Sequence, residues 1–244
     1  MTLTPRRRIA VFAPAAALAL AACAGTTNPS TGQATAPGSS SAAVPTSAAP
    51  TSMPSMDLVA KMKTSMAAPT SVHLKASGLA SGKSSSFDLN GKMDGSNGTF
   101  AITTGDTSFT VLKATNAYVK ANQAFWAVQA GVDAAKVADK WVKMPDSLKP
   151  QLDAITPRSM LDALTKDMTA DKLAPQATRD QLDGTDVYVI VDAKGIAEGQ
   201  LYVDAKTFLP VKYTQSKNNS VATFTDWDAA ATATEPAAGE IVSP

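Results

Sequence analysis

The first apolar pattern of the chain's body has helical spacing. Leu58, Val59, Met62 and Met66 recur across Ser55–Met66, Asp57 falls in the first turn, and Pro69 ends the run. With Ser55 as cap, this predicts an amphipathic helix with a methionine-rich buried face. The period then drops to two. Val72, Leu74 and Ala76 alternate with His73, Lys75 and Ser77; Phe87 and Leu89 follow "SGK", Phe100 and Ile102 follow "DGSNG", Phe109 and Val111 follow "GD", and Tyr118 follows "TN". Each segment predicts a short strand and each break a turn, which together make an antiparallel meander with one apolar face. The stretch from Ala121 to Met144 is less regular: "NQAFWAVQAG" and "AAKVADK" suit short helices, and "WVKMP" a brief strand.

Thr156, followed by Pro157, opens a second helix with Met160, Leu161, Leu164 and Met168 on its apolar face. Strands resume at about 177–182, 187–191, 200–204, 210–215 and 221–224. The layout is therefore a helix followed by roughly five strands, given twice. "VYVIVDA", residues 187–193, is apolar on both faces, with Val187, Val189 and Val191 on one and Tyr188 and Ile190 on the other. Antiparallel strands normally present one face to water, so this strand must be covered on both sides. Few helices are available to cover so many strands. A strongly curved antiparallel sheet wrapped around them accounts for this, and the space between is either an apolar hollow or an ordinary packed core. The residues expected to line a hollow are Met62, Met66, Phe87, Leu89, Phe100, Ile102, Phe109, Val111, Val189, Ile190 and Leu201.

The ends of the chain have a different character. Arg6, Arg7 and Arg8 precede a mostly apolar run from Ile9 to Ala22, shorter than the roughly 20 residues of a membrane-spanning helix. This is the layout of an export signal over residues 1–22. Leu20-Ala21-Ala22-Cys23 resembles the lipobox of bacterial lipoprotein signal peptides, in which the cysteine carries a diacylglyceryl thioether. Cys23 is the only cysteine in the chain, so no intramolecular disulfide can account for it. The sequence thus predicts a lipidated Cys23 that anchors the protein to the extracytoplasmic face of the cell membrane, two acyl chains being enough for stable anchoring. Residues 23–54, rich in Ala, Ser, Thr, Gly and Pro, read as a disordered tether, residues 55–228 as the folded domain, and residues 229–244 as a flexible tail.

Charge and chemistry narrow the function. The formal net charge is +1, and removal of the three signal arginines makes it 1 − 3 = −2, with the remaining cations scattered among aspartates. No nucleic-acid surface is expected. His73 is the only histidine, and no G-x-S-x-G elbow or glycine-rich phosphate loop occurs. One histidine and one cysteine cannot make a zinc cluster. "DWD" at 226–228 fits a turn, and "NGT" and "NNS" fit hairpin ends. The expectation is no enzyme, no metal and no cofactor, with a carboxylate-pair hydrolase as the remaining enzymatic alternative.

The runs "NAYVKANQAFW", "ADKWVKMP", "DGTDVYVIVDA", "LYVDAKTFLPVKY" and "ATFTDWD", together with the lipobox and tether, resemble the actinobacterial lipoproteins of the LppX/LprAFG group. The resemblance implies an α+β fold in which ten to eleven antiparallel strands form a half-barrel closed by helices, similar to periplasmic carriers of the LolA/LolB type. It also implies a hollow that holds acylated lipid or glycolipid in transit through the cell envelope. It marks no cavity residue individually and names no exporter or envelope partner. The alternative is a tethered structural or protein-interaction module whose core is filled by its own side chains.

Overall fold

The computed structural model describes residues 51–80, 82–129 and 131–243. The export signal, Cys23 and most of the tether lie outside the described residues. The sequence from Ser52 onward forms one sheet and its helices: β1 (Ser52–Pro54), α1 (Ser55–Met66), β2 (Ser71–Ala80), β3 (Lys83–Lys92), β4 (Gly98–Thr104), β5 (Thr107–Lys113), β6 (Ala117–Ala121), α2 (Gln123–Ala127), α3 (Ala134–Val137), β7 (Trp141–Lys143), α4 (Lys149–Asp153), α5 (Pro157–Lys166), β8 (Gln176–Leu182), β9 (Thr185–Val191), β10 (Gln200–Asp204), β11 (Pro210–Gln215), β12 (Ser220–Thr225) and β13 (Ile241–Val242). Among the described residues thirteen strands lie in the order β1-β8-β9-β10-β11-β12-β2-β3-β4-β5-β6-β7-β13. Native twist accumulates by roughly 20–25° per strand pair, so a sheet of this width cannot stay flat. It curls around its helices as an unclosed half-barrel.

Two of the thirteen strands come from segments whose composition suggested no structure. Ser52–Pro54, read as the end of the tether, pairs antiparallel with β8, and Ile241–Val242, read as tail, pairs parallel with β7. The rest of the supposed tail is also docked. The Asn97 side chain donates to the Ala233 carbonyl and accepts from the Ala233 N–H, at 2.9 and 2.8 Å. Glu235 accepts from the Asn116 N–H, the Asn116 side-chain amide and the Tyr118 hydroxyl. On the tail's side this binding uses backbone groups, the Glu235 carboxylate and one partly buried apolar residue, Val242, so it leaves no hydrophobic period in the sequence. The first and last described segments thus each add a very short strand at one edge of the sheet, and short edge strands offer little template for association.

The helix starts differ in the same way. α5 carries the expected cap, with Thr156 Oγ1 accepting from the Ser159 N–H and Ser159 Oγ answering the Thr156 N–H. α1 has no side-chain cap, because β1 runs straight into it. Ser55 is buried, donates its hydroxyl to the Ala174 carbonyl at 2.6 Å and its N–H to the Pro175 carbonyl. Arg158 on α5 donates to the Met66 and Ala67 carbonyls at the end of α1, a cation at a helix C-terminus.

Two cores form on the helix-covered face. One gathers Leu58, Val59, Met62 and Met66 of α1 with Leu161 of α5 and strand residues such as Leu74, Ile190, Val203 and Phe224. The other packs Phe125 and Trp126 of α2 and Val137 of α3 against Val111, Val119 and Val142.

Candidate functional site

The register resolves the helix-covered face into parallel rows that run across the strands. One row, Phe224–Leu74–Leu89–Phe100–Val111–Val119–Val142, lies under the helices, and apart from half-buried Phe100 each member is at most 8 % exposed. Two residues further along each strand is a second row: Ile190–Leu201–Tyr213–Ala222–Ala76–Phe87–Ile102–Phe109–Ala121. It crosses nine neighbouring strands, about 38 Å at 4.7–4.9 Å per step. Its two ends are buried, whereas Tyr213, Ala222, Ala76, Phe87, Ile102 and Phe109 are only half-buried. Two residues further again the partners become polar: Gln215, Ser220, Gly78, Ser85, Thr104 and Thr107. The second row is therefore a half-buried apolar strip between the helix cores on one side and a polar row on the other, which we read as the floor of a transverse groove.

The floor has distinct segments. On one side, Phe87, Phe100, Phe109, Phe125 and Trp126 form a chain of ring contacts with successive centroids 5.1, 5.9, 5.1 and 5.2 Å apart. In the middle, Ala222 and Ala76 make the floor low. On the other side the groove deepens into a cleft of about 90 Å³, where Ile190, Leu201 and Tyr213 face Leu164, Met168 and Leu173. Charged groups ring its mouth: Asp167 with Lys172 at 3.7 Å, and Glu198 with Lys217 at 3.0 Å, alongside Asp192 and Lys194. A second recess, between β3–β5 and the chain leading into α5, is lined by Leu89, Phe100, Val111, Leu152 and Ile155 and holds about 30 Å³.

The eleven residues expected at a hollow therefore separate. Ile190 and Leu201 line the cleft, and Phe87, Ile102 and Phe109 belong to the half-buried part of the floor. Phe100 belongs to the buried row and packs against both cores. Met62 and Met66, on the buried face of α1, and Leu89 and Val111, on the strands beneath the helices, are core residues. Val189 faces away from the helices, since its cross-strand partners are Thr178 and Tyr202. It is nonetheless only 4 % exposed, and its neighbour Val187 is 0 % exposed, which accounts for the two-faced strand. The hollow is thus a groove with a small cleft, not one large chamber.

Sequence reading did not single out Tyr213. It lies on the apolar phase of "PVKYTQ", and its hydroxyl is the only polar side-chain atom in the nine-residue floor row. That oxygen is closed from solvent and makes no hydrogen bond. An unmet buried hydroxyl costs about 1–3 kcal/mol. It rests against Gly199, where the Cβ of any larger residue would stand 3.1 Å from it, so a side chain at 199 would crowd it. Burial first, then the carboxylates of Asp192 and Glu198, push the phenol above its ordinary range and keep it protonated.

The other chemical candidates are occupied structurally. His73 Nε2 is 2.8 Å from Asp88 Oδ1 and Nδ1 is 3.2 Å from Asp226 Oδ2. Ser71 Oγ accepts from the Ala230 N–H, and Asp228 accepts from the Thr70 N–H and hydroxyl. Asp226 and Asp228 both have left-handed backbone, φ 51° and 61°, a conformation that aspartate tolerates in turns. Among the described residues no group of three or more His, Cys, Asp or Glu is placed to hold a metal ion.

No family model matches the sequence, and no curated protein matches it. Among solved structures, the chain is similar to Mycobacterium tuberculosis lipoprotein LppX, at 14 % identity and a TM-score of 0.39, over 75 % of this chain and 97 % of that one. It is also similar to PNGF-II, at 9 % identity and a TM-score of 0.21, over 71 % of this chain and 31 % of that one. LppX belongs to the group that the hairpin patterns resemble. At these values neither likeness carries residue roles across.

Proposed function

We propose that this protein is a membrane-anchored extracytoplasmic lipoprotein that binds an acylated lipid and passes it on within the cell envelope, without catalysing a reaction. The observation that supports this best is the half-buried apolar floor from Ile190 to Ala121, open along a polar rim. Desolvation of an acyl chain laid along it contributes roughly 25 cal/mol per Å² of apolar surface. The lipobox at Cys23 supports the anchored location, and a tether between anchor and domain lets the groove face the bilayer.

A second reading has its own support. The enclosed space is only about 90 Å³ in the cleft, which suits a tethered interaction module with a filled core. One experiment separates the two. Protein purified from its own membrane in mild detergent, then extracted and examined by mass spectrometry, should release acyl lipid in near-stoichiometric amount. Lipid-free protein that takes up no fluorescent acyl probe would replace the carrier with the interaction module.

A further inference from the structure

The groove's most unusual atom is the Tyr213 hydroxyl. Eight of the nine floor residues carry only carbon in their side chains, and the ninth places an oxygen where the cleft begins. Leu201 on one side and Ala222 on the other could share their row with a phenylalanine at no loss of packing. The hydroxyl is therefore a cost without a return inside the protein. Resting on the acyl-binding reading of the groove, we propose that Tyr213 is its specificity-determining residue, and that its hydroxyl donates a hydrogen bond to an uncharged oxygen, ester or alcohol, of the bound lipid.

The surroundings select the charge of that oxygen. The carboxylates of Asp192 and Glu198 are the charges that act most on the hydroxyl, and Asp167 stands on the same cleft. Lys172 and Lys217 are engaged with Asp167 and Glu198, and Lys194, the remaining cation of the cleft, is not among the charges that act on the hydroxyl. A fatty-acid carboxylate at the hydroxyl would meet this field unfavourably, whereas an ester carbonyl or glycerol hydroxyl would not. Access is set by the wall opposite. The oxygen is closed from solvent, and Met168, an unbranched side chain of the same cleft, can re-pack to admit a ligand. Gly199 keeps the space beside the hydroxyl free of a side chain.

The test compares parent and Tyr213→Phe for displacement of Nile red by 1-monooleoylglycerol, oleate and 1-octadecene delivered from cyclodextrin. Thermal unfolding of lipid-free protein is measured in parallel. The parent should prefer monooleoylglycerol to oleate. In Tyr213→Phe the ratio of monooleoylglycerol to octadecene affinity should fall roughly tenfold, the loss of one buried hydrogen bond. The lipid-free variant should melt at the parent's temperature or roughly 2–4 °C above it, because an unmet polar atom is gone. An unchanged ratio, or a parent that prefers oleate, overturns the role of Tyr213 and leaves the groove standing. A variant that melts several degrees lower also overturns it, by showing that the hydroxyl has a partner within the protein. Binding of none of the three lipids by the parent overturns the groove itself.

Discussion

Ala76 offers the sharpest test of the groove, because it is the low point of the floor between two larger-residue segments. Replacing it with phenylalanine raises the floor four strand steps from Ile190 and four from Ala121, so a chain lying across it is denied roughly half of the 38 Å path. If only four methylenes lose their burial, at about 0.8 kcal/mol each, binding weakens by about 3 kcal/mol, more than a hundredfold. The control is the next residue. Ser77 is exposed and points to the opposite face, so Ser77→Phe adds the same ring without touching the groove. Uptake of a fluorescent acyl probe should fall at least a hundredfold in Ala76→Phe and stay at the parent level in Ser77→Phe. Stability discriminates as well. Overfilling a tightly packed site costs typically 1–3 kcal/mol, whereas a ring laid into a half-open groove costs less, under roughly 4 °C in the melting temperature of a domain this size. If Ala76→Phe melted far below Ser77→Phe while the two took up equal probe, the second row would be packed core and the groove would not exist.

Three further outcomes follow from separate features. Cys23→Ala should leave the membrane fraction or accumulate uncleaved, and unchanged fractionation and migration would refute lipid anchoring. Leu161→Ala, which empties a site that is 1 % exposed between α5 and the sheet, should cost 2–5 kcal/mol in denaturant unfolding, and a loss below about 1 kcal/mol would show that α5 is not part of the core. The Asn116 side chain and N–H hold the Glu235 carboxyl below its ordinary range, so its folded pKa lies under its unfolded one. Docking of residues 229–243 should therefore be fully supported above the ordinary glutamate range and weaken as pH falls through the lowered folded value. Hydrogen-exchange protection factors near Glu235, compared at pH 7 and pH 3, should drop for the parent and change little for Glu235→Gln; equal protection of the parent at both would show that the carboxylate does not hold the segment.

What the sequence determined by itself was everything that leaves a local period or a motif. Leu58, Val59, Met62 and Met66 place α1, Thr156 and Pro157 start α5, and the alternation from Val72 to Phe224 yields eleven of the thirteen strands and the curved α+β sheet. These signals survive because each is set by neighbours three or four residues away in a helix, or two in a strand. The two edge strands were not legible, since their pairing is made by backbone groups that every residue carries. Ser55 showed the same limit: it looks like a cap in isolation, and only the approach of Ala174 assigns its hydroxyl elsewhere. The groove was partly legible, in that Phe87, Ile102, Phe109, Ile190 and Leu201 were all identified as apolar strand residues. Which of them line a groove and which fill a core depends on strand register and on where the helices rest, and a shift of one residue exchanges the two faces. Tertiary structure alone placed Ile190 toward the cleft and Val189 away from it, and it alone left the Tyr213 hydroxyl without a partner, because a missing hydrogen bond is a property of the whole surrounding shell and not of any stretch of sequence.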